Sequence, residues 1–273
     1  MRIRVRLFAF QRELVGERHV TLEVAYGATV ADGWDALVER YPALAPGRAS
    51  VRFARNGDYA DPIDRLADGD ELAVIPPVSG GSGDAEGGGG NDGSSEGEPD
   101  AARRIVELRE TPFGTEILGE LADRLATDGD GAIVGFLGRT RATPGTPAPG
   151  QETEAARHAG RSVDALEYEA HDTMAIRVLD TIADEVVERF GVERLAIVHR
   201  TGDVPLGVVS IAVVAVAAHR DAAFKAARYA IDETKARAPI WKAERFLDGH
   251  VWIGHPARTG PDEAPRTPEE GTR

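Results

Sequence analysis

The sequence predicts an α+β protein built as two units with a linker between them. Its 273 residues are about twice a common single-domain length. Strand and helix periodicities are interleaved on both sides of residue 90. Between them lies a stretch that cannot build a core: Ser82 to Asp100 reads SGDAEGGGGNDGSSEGEPD, rich in Gly and Ser and charged only with acids. Such a segment is a solvated spacer, reaching on the order of 25 Å root-mean-square. The divisions are therefore 1–81, a flexible acidic Gly/Ser linker over 82–102, 103–255, and a disordered tail over 256–273.

In the first unit, Arg2 to Phe10 alternates as a half-buried strand with Ile3, Val5 and Leu7 on one side. His19 to Val24 alternates again. Thr29 can cap a helix to Arg40, with Val30, Trp34, Leu37 and Val38 inward and Pro42 soon after its end. Val51 to Ala54 and Glu71 to Val78 complete a small sheet crossed by one helix. In the second unit, Arg104 to Leu108 reads as a strand and Thr115 to Leu125 as a helix. Ala132 to Leu137 and Val163 to Glu169 are strands on either side of a Pro/Gly loop over Thr143 to Ser162. Asp172 caps an amphipathic helix that stops at Gly191. Leu195 to His199 and Val208 to Ala217 are buried strands, and Asp221 opens a helix that Pro239 ends near Ala238.

Composition removes several functions. An apolar share of 42% and a charged share of 29% are globular, and 32 basic against 46 acidic residues leave a net charge of −14. That acidity argues against a general binder of nucleic acid or anionic membrane. There is no cysteine, so disulfides, thiolate metal sites and cysteine nucleophiles are excluded. The charged alternation of Met1 to Arg6 is no signal peptide, and the longest apolar run, Val204 to Ala218, is broken by Pro205, Gly207 and Ser210. A cytoplasmic location is expected. Walker, Rossmann, HExxH and GxSxG patterns are lacking, and His250 and His255 have no matching carboxylate set, so neither cofactor nor metal is expected.

The basic residues are uneven in kind. Lys225, Lys235 and Lys242 are the only lysines; every other basic residue is arginine. A guanidinium stays protonated, whereas an amine can be tuned to release its proton or act as a nucleophile. Phe224, Ile231 and Lys235 share a helix face at seven- and four-residue spacing, so Lys235 extends an apolar stripe, either desolvated there or snorkelling to water. Lys242 returns just beyond the Pro239 break. His219 and Arg220 stand where a strand feeds a helix start, which suits an anion, though an ordinary surface turn is the plainer reading of the pair alone. Gly138-Arg139-Thr140-Arg141 opens the Pro/Gly loop, and the Gly80-Gly81 pair is, on its own, simply where the spacer begins. Two lysines and a His-Arg pair in one cleft would suit a phosphorylated small molecule.

Read together, these residues resemble a known family. Residues 1–81 resemble the small, sulfur-carrying subunit of molybdopterin synthase through Leu7-Phe8-Ala9, Arg12-Glu13, Gly16, Gly69-Asp70-Glu71-Leu72 and the ending Ile75-Pro76-Pro77-Val78-Ser79-Gly80-Gly81. Arg104 to Ile253 resembles the large, catalytic subunit through Phe136 to Arg141, Leu166 to Ala170, His199 to Gly202, Ala218-His219-Arg220 and Lys235-Ala236-Arg237-Ala238-Pro239-Ile240-Trp241-Lys242. The chain thus resembles a fusion of the two. The resemblance implies a ubiquitin-like β-grasp unit and an α/β-hammerhead-type catalytic unit. It implies transfer of sulfur, carried as a thiocarboxylate on the terminal glycine of the β-grasp unit, to cyclic pyranopterin monophosphate. It also implies Lys235 and Lys242 as catalytic lysines, Arg141, His219 and Arg220 as the substrate phosphate pocket, a homodimer through the C-terminal unit, and an adenylating, sulfur-loading partner enzyme. One departure matters: Gly81 is followed by Ser82, so its carbonyl is an amide, and cleavage between them is expected before activity. A rival reading makes the first unit a ubiquitin-like protein modifier fused to a non-catalytic acceptor.

Overall fold

A computed structural model describes residues 1–78 and 103–254. Gly80, Gly81, the 82–102 spacer and the 256–273 tail lie outside the described residues. The first unit runs β1 (Arg2–Leu7), α1 (Ala9–Val15), β2 (His19–Glu23), α2 (Val30–Arg40), a 3-10 turn (Pro42–Gly47), β3 (Arg52–Arg55), β4 (Asp58–Ala60) and β5 (Glu71–Ile75). The sheet order is β2-β1-β5-β3-β4, with β1 and β5 parallel and the other pairs antiparallel. This is a β-grasp sheet. Ile3, Val5 and Leu7 project from β1 onto Trp34 and Leu37 of α2. A reciprocal cap starts that helix: Thr29 Oγ1 accepts from the Asp32 N–H at 3.2 Å, and the Asp32 carboxylate accepts from the Thr29 N–H at 2.7 Å.

The strand expected over Arg2 to Phe10 stops at Leu7. Phe8, Ala9, Phe10 and Gln11 are buried as a strand would bury them, and the first three lie in a core shared between their own sheet (Ala54, Ala73, Ile75) and the second unit (Met174, Trp241, Ala243, Trp252). Ala9 sits in the left-handed region at φ 49°, a turn that alternation does not reveal. The last strand ends at Ile75, and Pro76, Pro77 and Val78 continue as a buried arm.

The second unit runs β6 (Arg104–Arg109), α3 (Ile117–Leu125), β7 (Ala132–Arg139), α4 (Glu152–Arg157), β8 (Ala165–Ala170), α5 (Asp172–Phe190), β9 (Arg194–Arg200), β10 (Gly202–Pro205), β11 (Val209–Ala217), α6 (Arg220–Arg237), β12 (Ile240–Phe246) and β13 (Gly249–Ile253). One sheet is ordered β6-β9-β11-β7, the other β10-β8-β12-β13. β11 is buried throughout, with α3 on one side and α5 and α6 on the other. His171, not Asp172, occupies the cap position of α5, and His219, not Asp221, that of α6. Gly191 closes α5 at φ 64° in the left-handed form that favours glycine. The Pro/Gly loop holds the short α4, and its Ala148 N–H donates to the Trp252 carbonyl at 2.8 Å along β13. Phe224 is exposed; the inner stripe of α6 is alanine-lined, through Ala223, Ala226, Ala227 and Ala230.

The two units share a core. Phe8, Phe10, Ile75 and Val78 pack with Met174, Trp241, Ala243 and Trp252. Trp241 stacks on Phe8 at 4.6 Å between ring centres, and its Nε1–H donates to the Pro76 carbonyl at 3.0 Å. Beside it, buried Glu169 accepts from the Ala9 N–H at 3.0 Å and pairs with Arg12 at 3.1 Å and Arg18 at 3.2 Å. That carboxylate holds the left-handed turn at Ala9. At the rim, Glu13 and His250 pair at 2.9 Å. The Glu13 hydrogen bond lifts His250 above its ordinary range. Burial works against the Glu13 charge, yet the His250 bond and charge carry its carboxyl below the usual range.

Glu169→Ala is expected to cost about 1 to 3 kcal/mol in denaturant unfolding, because the Ala9 N–H is left buried without an acceptor. Glu169→Gln, which keeps one acceptor oxygen, should cost less. The Glu13–His250 pair is half exposed and contributes a few tenths of a kcal/mol. A raised histidine stabilises below its ordinary value and fades as pH climbs through the raised one; a lowered carboxyl does so above its own ordinary value. With ordinary values of 6.5 and 4.5, the melting-temperature gap between wild type and His250→Gln should be widest near pH 5 to 6 and vanish in alkali.

Candidate active site

The antiparallel sheet β10-β8-β12-β13 has two working faces. In register, Trp241 lies opposite Glu169, and Ala243 opposite Glu167 and Trp252, so these side chains share the face turned to the first unit. Lys242 lies opposite Tyr168 and Ile253 on the other face. That face forms one wall of a cavity of about 490 Å3. Into it converge Lys235 from the last turn of α6, Lys242 and Glu244 from β12, Tyr168 from β8, His199 from β9, and Arg141 from the loop after β7. Pro239 places the lysines: it ends α6 just beyond Lys235 and lets the chain re-enter as β12.

Buried Glu244 is the organising acid. One oxygen lies 3.2 Å from Lys242 Nζ, and both accept from the Gly145 N–H at 3.0 Å. A Cβ at Gly145 would stand 3.0 Å from Ile253 Cγ2 and 3.2 Å from Glu244, so the Pro/Gly loop can approach only because this residue is glycine. Burial raises the Tyr168 hydroxyl. Burial, helped by the charge of Lys235 and opposed by a bond to the Arg200 carbonyl, pushes His199 down to about 4. Glu244, Tyr168 and His199 escaped the sequence reading as site residues. Period-2 spacing from Lys242 points to Glu244, but tells nothing of Tyr168 or His199 without register.

Of the residues expected in the pocket, Lys235, Lys242 and Arg141 line one cavity. His219 and Arg220 do not: both are exposed at the start of α6, about 24 Å from Lys235 along its axis. Lys225 is exposed and pairs with Asp221 at 2.9 Å. Among the described residues no group of three or more His, Asp or Glu could hold a metal, and no helix is long and apolar enough to cross a membrane.

The arm Pro76–Val78 leaves the docking face and meets the cavity at its edge. Gly254, just past β13, is part of the cavity wall, and a Cβ there would fall on the Val78 carbonyl group. The three residues from Ser79 to Gly81 can extend about 10 Å from this point.

A family model described as "MoaE protein" matches residues 114–237, and one described as "ThiS family" matches 5–81. The "Molybdopterin synthase catalytic subunit" of Oryza sativa subsp. indica is 38% identical over 54% of this chain and 69% of its own length. That of Bacillus subtilis is 34% identical over 56% of this chain and 87% of its own. The chain belongs to the molybdopterin synthase catalytic subunit family. It carries a ThiS-family unit fused ahead of the catalytic unit. The crystal structure of molybdopterin synthase from Staphylococcus aureus aligns with 57% of this chain and all of its own at 29% identity and a TM-score of 0.46.

Gly254→Ala is expected to lower the thermal transition by several degrees and to cut sulfur-transfer turnover at least about tenfold, because a Cβ there would fall on the buried Val78 carbonyl and the arm must move off the cavity edge. Single-turnover kinetics together with calorimetry check this.

Proposed function

We propose that this chain is a molybdopterin synthase in which the sulfur carrier docks on its own catalytic unit. The observation that carries this reading is the arm of the first unit ending at Gly254, on the wall of the cavity that holds Lys235 and Lys242. A thiocarboxylate on Gly81 is an anion, and cyclic pyranopterin monophosphate brings a phosphate. Lys235, Lys242 and Arg141 offer three cations to them, with Glu244 neutralising one. Each sulfur moves when the thiocarboxylate sulfur attacks an oxygen-bearing substrate carbon: the C–S bond forms as the C–O bond at that carbon breaks, and the oxygen leaves protonated as water or stays on the phosphate. Water then breaks the resulting thioester, returning Gly81 as a carboxylate and leaving a thiolate on the product. Lys235 is assigned proton transfer or transient covalent work, and Lys242, anchored by Glu244, stabilisation of developing negative charge.

Two further features belong to this reading. An amide at Gly81 cannot be activated, so the working form is cut after Gly81 and loaded by an adenylating enzyme. His219 and Arg220 reach a phosphate in the cavity only when a second copy supplies them, which makes the working unit a homodimer through the catalytic unit. The β7 edge supports this, since β7 is an outer strand of its sheet and exposes Ile133.

Turnover of the pterin by cut, thiocarboxylated protein tests the reading. Lys235→Ala and Lys242→Ala should each lose at least about a hundredfold in kcat, and Lys225→Ala no more than about twofold. Intact mass should show active material as two pieces parted after Gly81; full activity in the uncut chain contradicts the cleavage. Mixing inactive Lys235→Ala with inactive Arg220→Ala should recover about a quarter of the sites, because in a mixed dimer one of the two is whole. No recovery contradicts the shared pocket.

A further inference from the structure

His171 is a buried titratable group to which sulfur transfer, as set out above, gives no task. It stands at the start of α5, 2% exposed, on the face where the carrier docks. Its backbone is engaged: the N–H donates to the Pro239 carbonyl at 3.1 Å, and the carbonyl accepts from the Ala175 N–H at 2.8 Å. Its ring is not. Both ring nitrogens are buried, and among the described residues neither has a hydrogen-bond partner. The ring stacks on Phe8 of the carrier, 5.2 Å between centres and 27° between planes. A neutral imidazole tolerates such a slot at modest cost, whereas an imidazolium would bury a charge and two unsatisfied donors.

The charges that face the ring come mostly from the carrier. Arg6 of β1 lies over the same Phe8 ring, 4.9 Å from its centre. Glu71 of β5 places one oxygen 4.0 Å from His171 Nε2, beyond hydrogen-bond distance, and its carboxylate already holds Arg4 at 2.9 Å and Arg6 at 3.9 Å. From the catalytic unit, Asp172 follows in the first turn of α5, and Glu169, two residues earlier, is taken by Arg12 and Arg18. β12 turns the uncharged Trp241 and Ala243 to this face. Burial and the Arg6 charge outweigh Glu71 and Asp172 and hold the ring below its ordinary value. Parted from the carrier, the ring meets water and regains that value.

We propose that His171 makes carrier docking sensitive to acid: the shared core accepts the neutral ring, and a proton taken up by that ring parts the carrier from the catalytic unit. Docked protein then binds fewer protons than undocked protein. Docking is therefore strongest above the ordinary histidine value of 6.5 and weakens as pH falls through it. The Glu13–His250 pair at the rim has the opposite sign, since its raised histidine favours docking in acid. Comparison with a variant changed only at His171 isolates the buried ring.

The test is native-state hydrogen exchange on the full, uncut chain, read by mass spectrometry. The Ala9 N–H is held by the Glu169 carboxylate across the interface, so the peptide from Ala9 to Arg12 exchanges when the units part. Corrected for the intrinsic exchange rate at each pH, its protection in wild type should fall roughly 3- to 10-fold from about pH 7.5 to about pH 5.5. In His171→Phe, which keeps a ring against Phe8 and takes up no proton, protection should hold or rise over the same range. Peptides from β11, deep in the catalytic unit, should not move in either protein. Should His171→Phe not fold, His171→Gln, uncharged at every pH, carries the same comparison. Equal pH dependence in wild type and variant overturns the proposal. So does protection that grows in acid more in wild type than in the variant, which would mean that the charged ring pairs with Glu71. Neither cleavage nor substrate enters the measurement, so failure of the sulfur-transfer reading would show as absent turnover and leave the exchange result intact.

Discussion

The structure depends on the alternation of one strand. Along Ile240–Phe246 successive side chains point to opposite faces, so Trp241 faces the carrier and Lys242 the cavity. Carrier contact and cavity lining are thereby one residue apart in sequence and one sheet apart in space. A register slip of a single residue in β12 would put the lysine in the carrier interface and the tryptophan in the cavity, inverting both functions. The pairing on both sides of β12, with β8 and β13, prevents this. Where the carrier's arm meets the end of that sheet, Gly254 lets the Val78 backbone approach closely, since a Cβ there would fall on the Val78 carbonyl.

The electrostatics follow the same division. The chain is acidic as a whole, at −14, yet its cavity is lined by four cationic side chains, Arg139, Arg141, Lys235 and Lys242. The docking face uses the opposite arrangement, with arginines from the carrier closing on Glu169 from the catalytic unit. A buried carboxylate that must find a backbone N–H and two guanidiniums accepts few other surfaces, so it selects a partner more than it adds affinity. Glu244 plays a comparable part inside the cavity, where its bond to the Gly145 N–H fixes it against Lys242 and the Pro/Gly loop against β13.

Much of this was legible in the sequence. The start of β1 at Arg2, the Thr29 cap, the Gly191 stop and the buried run to Ala217 each rest on local chemistry, and each stands in the structure within a residue or two. The two lysines stood out because, with Lys225, they are the only basic residues that are not arginine. What could not be read depends on distant contacts. The turn at Phe8 and Ala9 is buried in part by residues 160 positions away, so its pattern imitates a strand. The sequence reading assigned no strand to β12 or β13, because Lys242 and Glu244 of β12 face an enclosed cavity rather than solvent, which breaks the usual equation of polar with outside. His219 and Arg220 join a basic motif in sequence but stand at the far end of α6 from Lys235, a separation that spacing in a linear chain does not convey.

The most direct measurement of the central claim exploits the scarcity of lysine. Carbodiimide treatment of protein cut after Gly81 activates that terminal carboxylate and joins it, without a spacer, to whichever amine it touches. With the arm passing Gly254 into the cavity, peptide mapping should find Gly81 joined to Lys235 or Lys242. A linkage to Lys225, or to no lysine at all, would contradict the account.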